Sequence, residues 1–156
     1  MRPTSVRAAV AAVLAVTLLG GCSSDPAAYR DSARTAVEDA RAELATIALA
    51  AQQWDRGRLT APYAQTTVDD AEQALGKAAD GLAAQQPPTR ADDTLRDAVG
   101  DLLDDASAAA SRTRIALRRG DHAGVRDGLS TLDAVRADLD DAETALRDGT
   151  PLPKAG

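Results

Sequence analysis

From Asp25 onward the chain falls into four blocks in which apolar residues return at steps of three and four. That spacing keeps one face of an α-helix apolar along its length. In the first block the stripe is Tyr29, Ala33, Val37, Ala40, Leu44, Ile47, Ala51 and Trp54, with Asp31, Glu38, Asp39 and Arg41 on the other side. Asp25 is placed as its N-cap, Pro26 suits the first helical position, and Gly57 ends it after Arg56. The second block, Val68, Ala71, Leu75, Ala78 and Leu82, alternates three and four in the manner of a heptad. Its start is open: either Thr60, with Pro62 in the first turn, or Thr67. Pro87-Pro88 forbids its continuation.

Thr89 is the expected cap of the third helix, with Asp92 complementing its dipole. Leu95, Val99, Leu102, Ala106, Ala109 and Ala116 form the stripe, flanked by Leu103 and Leu117. Arg118-Arg119-Gly120 places cations on the last carbonyls and then a residue suited to the left-handed conformation. Asp121 caps the fourth helix, whose stripe is Val125, Leu129, Leu132, Val135, Leu139, Ala142 and Leu146. Gly149 and Pro151 stop it, and residues 150–156 are expected to be a disordered tail. Four amphipathic segments with short turns predict an all-α domain over residues 26–149, an antiparallel up-down four-helix bundle. Two long hairpins that pair with another chain are the alternative.

Residues 1–21 carry a different pattern. Arg2 and Arg7 precede an uncharged run from Ala8 to Leu19, and Gly20 and Gly21 lead to Cys22, the only cysteine. A charged start, an apolar stretch and small residues before a cut are the parts of a secretory signal. The run is about a dozen residues, short of the roughly 20 that cross a bilayer core. Leu19-Gly20-Gly21-Cys22 resembles the lipobox of bacterial lipoproteins. The resemblance implies transfer of a diacylglyceryl group to the Cys22 sulfur and cleavage between Gly21 and Cys22. Residues 22–25 would then be a lipidated cysteine and a short tether. With the Pro87-Pro88 turn between two helical hairpins, the chain also resembles the small helical lipoproteins of actinobacteria. That likeness implies a place, lipid-anchored on the extracytoplasmic face of the cell membrane, and a shape. It implies no activity.

Composition narrows the options. The chain has no Phe, one Trp, two Tyr and one His, with a net charge of −6. Without Arg2 and Arg7 the 18 basic residues become 16 against 24 acidic, a net of −8. Such a net charge argues against nucleic acid as a partner, and none is expected, because that binding needs Lys and Arg to displace phosphate counterions. In an up-down bundle, Cys22 and Pro87-Pro88 share one end, here the near end. Gly57 to Pro62 and Gly120-Asp121 share the far end. Residues 54–72 and 112–127 hold seven arginines and six acids, while the rest of the mature chain holds nine bases and eighteen acids. The far end, with Trp54, Arg56, Arg58, Arg118 and Arg119, is therefore the candidate surface for an envelope protein or an anionic envelope component.

No reaction is legible. A lone histidine cannot build a triad or a multi-histidine zinc site, and His122 reads as a solvated first-turn residue. Arg119-Gly120-Asp121 spells an integrin tripeptide, but it is also a helix stop followed by a cap. Asp93, Asp97, Asp101 and Asp104 or Asp105, and likewise Asp138, Asp141 and Glu143, read as solvated stripes without a calcium loop. No phosphate-binding glycine loop or serine nucleophile motif is present. The expectation is a non-enzymatic binding or scaffolding module with no cofactor and no resident metal. A small-molecule or ion carrier, holding its ligand between the helices, is the alternative, and a cavity above about 300 Å³ would favour it.

Overall fold

The computed structural model describes residues 25–152. Residues 1–21, with Gly21 at the expected cut, lie outside them, as do Cys22, the first residues of the tether and residues 153–156. The described chain forms four helices: α1 (Pro26–Asp55), α2 (Ala61–Ala83), α3 (Arg90–Arg118) and α4 (His122–Asp148). They pack as an all-α, antiparallel up-down bundle.

Local chemistry sets the ends. The Asp25 carboxylate accepts from Ala27 N at 3.0 Å, and Thr89 Oγ1 accepts from Asp92 N at 3.3 Å. Asp121 Oδ1 accepts from Gly124 N at 2.9 Å. The open question of α2 resolves at Thr60, which is the N-cap, with Pro62 in the first turn and no side-chain cap bond. Proline's fixed φ and missing N–H suit that turn. Three helices close on glycines in the left-handed region, Gly57, Gly120 and Gly149, at φ of 67°, 66° and 69°. The following amides reach back across the last turn, Arg58 N to Gln53 O at 2.8 Å and Asp121 N to Ala116 O at 3.0 Å. Such bonds satisfy carbonyls that a helix end leaves free.

Helix α1 touches all three others, whereas α2 and α4 do not meet. The cross-section is therefore a rhombus with α1 and α3 on its short diagonal. Alanines make that diagonal short: Ala33, Ala36, Ala40, Ala50 and Ala51 on α1 and Ala106, Ala109, Ala110 and Ala116 on α3 are buried. Small side chains let helix axes approach toward the lower end of the usual 8–10 Å. Leu44, Ile47, Leu75, Leu103, Leu117, Leu132 and Leu139 fill the remaining space, each fully buried or nearly so.

The stripes map onto this core with informative exceptions. Trp54, Ala78, Leu95, Leu129 and Leu146 are only partly buried, because they sit at bundle ends or on its flanks. Asp92, expected as a dipole partner, is buried and accepts from Thr89 Oγ1 at 2.6 Å. Glu143 leaves its expected solvated stripe and is buried between Arg147, on its own helix, and Arg41 Nε of α1, 3.3 Å away. The tail starts as a strap: Thr150 N bonds Ala145 O at 2.9 Å and Leu152 packs on the core.

Candidate functional site

Helix α1 ends where α4 begins, and this junction joins the two far-end loops. The Trp54 and His122 rings stack with centroids 4.3 Å apart and planes 11° from parallel. His122 Nδ1–H donates to Asp55 Oδ1 at 2.7 Å. His122 is exposed, as its first-turn position suggests, but it is also the clasp between the loops. Arg126 Nε donates to its carbonyl at 3.1 Å.

Around the clasp the charges sort themselves. Arg118 is held by both oxygens of Asp69, at 3.2 and 3.0 Å from its Nη2. Arg114 is held by Glu72, with Asp69 at 3.9 Å. Asp121 is engaged as a cap and Asp55 by His122. Arg56, Arg58 and Arg119 are exposed and have no carboxylate partner. Among the described residues six arginines are left without one: Arg56, Arg58, Arg90, Arg112, Arg119 and Arg126. All but Arg90 lie at the far end. There only Asp70 and Asp127 are carboxylates without a partner, so the segregation survives pairing and becomes sharper. Of the sequence-derived set, Trp54, Arg56, Arg58 and Arg119 gather at one end, and Arg118 is tied to α2.

A second feature lies at the near end. An apolar groove of about 420 Å³ opens between α3, the start of α1 and the end of α4, lined by Arg30, Leu95, Ala98, Leu146, Pro151 and Leu152. Leu95 and Leu146 are stripe residues that no helix fully covers. Close by, the buried Tyr29 hydroxyl and Asp92 Oδ1 have no hydrogen-bond partner, and Arg30 Nε is 3.8 Å from that oxygen. Burial pushes the Tyr29 hydroxyl above its usual pKa; the Arg96 guanidinium pulls it down, and Asp92, Asp93 and Asp97 push it up.

The acidic stripe of α3 stays largely in solvent. Asp97, Asp101 and Asp104 meet Asp80 across a shallow groove between α2 and α3. Among the described residues no group of three His, Cys, Asp or Glu side chains is placed to hold a metal ion, and no helix is long and apolar enough to cross a membrane.

The clasp was missed by periodicity, because Asp55 and His122 are 67 positions apart. The available signal was topological: the end of α1 and the start of α4 share one end of any up-down bundle. No family model matches the chain, and neither a curated protein nor a solved structure is significantly similar to it.

Proposed function

We propose that the protein is a non-enzymatic lipoprotein of the cell envelope, anchored by a lipid on Cys22 and serving as a binding or scaffolding module. Its far end is the partner surface. The observation that supports this reading is the accounting of arginines: among the described residues, five of the six without a carboxylate partner lie at the end of the bundle opposite Asp25. An unpaired guanidinium keeps its donors for another molecule, whereas a paired one must first break its bridge. Helix α1 has 30 residues, so it carries that surface about 45 Å from the anchored end.

Site-resolved photo-crosslinking in intact cells tests the reading. A photoreactive residue at position 58 should capture a partner that the same residue at position 90, on the near end, does not. Equal capture from both positions, or none from either, removes the far end as the partner surface.

A carrier of apolar ligands is the second reading, favoured by the near-end groove of about 420 Å³, which falls within the usual size of small-molecule sites. Its lining is largely aliphatic, so the ligand would be an acyl or similarly apolar chain. Saturable quenching of a fluorescent fatty acid, lost in Ala98→Phe, would support it. Unsaturable uptake, or uptake unaffected by that substitution, would dismiss it.

A further inference from the structure

The far end differs from an ordinary helix terminus in what its arginines do. Arginine near a helix C-terminus complements the dipole, and Arg118 does so while also bridging to Asp69. Arg56, Arg58 and Arg119 follow the ends of α1 and α3 with no carboxylate engaged. Local acids are not lacking. Asp69 and Glu72 are taken by Arg114 and Arg118, Asp55 by His122, and Asp121 by a backbone amide. The fold thus engages Asp55, Asp69, Glu72 and Asp121 internally, leaves Asp70 and Asp127 as the open carboxylates of this end, and keeps guanidinium groups exposed on two loops, which the His122–Asp55 bond and the Trp54 stack hold together.

We propose that the far end binds a chain of phosphate groups, with Arg56, Arg58 and Arg119 supplying the contacts. This rests on the reading of that end as the partner surface and names the partner's class. A guanidinium fork takes two oxygens of one phosphate. Forks carried by two separate loops suit a ligand that repeats the phosphate along its length. An acidic protein surface would present carboxylates without that regular repeat. Of the exposed large apolar side chains among the described residues, Tyr63 and Ile115 lie at this end, on α2 and α3, and Leu49 lies on α1, so the comparison with polyglutamate decides between the two. The acidic remainder of the molecule is repelled by such a ligand, so encounter is steered to this end.

The test uses the chain from Cys22 to Gly156 and the emission of Trp54, its only tryptophan, with calorimetry as a second readout. The probes are inorganic polyphosphate, inorganic phosphate, polyglutamate, and phosphatidylglycerol vesicles. Polyphosphate should bind saturably, more tightly than the other probes, and weaken as salt is raised. The triple variant Arg56→Ser/Arg58→Ser/Arg119→Ser should bind more than about tenfold more weakly, while Arg90→Ser binds as the parent does. Circular dichroism of both variants establishes that the bundle is intact. No polyphosphate binding by either readout overturns the proposal, as does equal binding by the folded triple variant. Tighter binding of polyglutamate overturns it in favour of an acidic protein, and tighter binding of vesicles in favour of lipid headgroups. If polyphosphate fails while position 58 still captures a partner in cells that position 90 does not, the phosphate assignment falls and the partner surface remains.

Discussion

Single side chains set how closely α4 approaches α3. A Cβ built on Gly128 would lie 2.6 Å from Thr113 Oγ1, and that hydroxyl donates to Ala109 O at 2.9 Å in the bundle interior. Glycine at 128 is thus what lets α4 rest on α3. Gly128→Ala should cost about 1–3 kcal/mol in urea unfolding, and less in a Thr113→Ala background, because the clashing oxygen is gone. An additive double-mutant cycle would refute the contact. By contrast, a Cβ on Gly76 meets nothing within 4 Å, so Gly76→Ala should stabilise by up to about 1 kcal/mol. Tyr29 gives a pH test. Burial raises the pKa of its hydroxyl in the fold, so the neutral form is favoured when folded. The unfolded chain ionises first, from about pH 10, and the stabilisation is present below that pH and lost as pH rises through the folded value. Between these limits the urea midpoint of the parent should fall more steeply than that of Tyr29→Phe. Parallel curves would contradict the assignment.

Helices are where the sequence was most readable. Steps of three and four named all of them, and Asp25, Thr89 and Asp121 marked starts that their side chains confirm by capping bonds. The start of α2 resisted because Thr60 and Thr67 are equally good caps on paper, and Thr60 makes no side-chain cap bond to distinguish it. Thr60→Asp, able to accept from an open amide and favoured by the dipole, should therefore stabilise α2 by about 0.5–1 kcal/mol. Polar residues on a flank were the other blind spot. Asp92 and Glu143 look solvated in a linear pattern, but neighbouring elements cover them. Periodicity also says nothing about which helix lies on the diagonal. Since α1 touches every other helix, Leu44→Ala at its centre should cost about 2–5 kcal/mol. Leu82→Ala in the last turn of α2 should cost less, the difference read from the two urea midpoints.

At the scale of the molecule, antiparallel topology turns a scattered list of arginines into a place. The far-end set was legible before the fold was known, because loop positions in an up-down bundle follow from helix count. Which arginines are free was not legible, since Asp69, Glu72 and Arg114 come from two helices and pair only in three dimensions. The near-end groove was equally hidden. It exists because the strap carrying Leu152 only partly covers Leu95 and Leu146. The functional account depends on the two ends being different in kind, one tied to lipid and the other presenting cations to a partner. Feeding an alkyne-bearing fatty acid to cells that make either the parent or Cys22→Ala, then fractionating them, measures this at its root. The parent should carry the label in the membrane fraction, and Cys22→Ala should be unlabelled and absent from it; an unlabelled parent with a free thiol at residue 22, or label persisting in Cys22→Ala, would contradict the account.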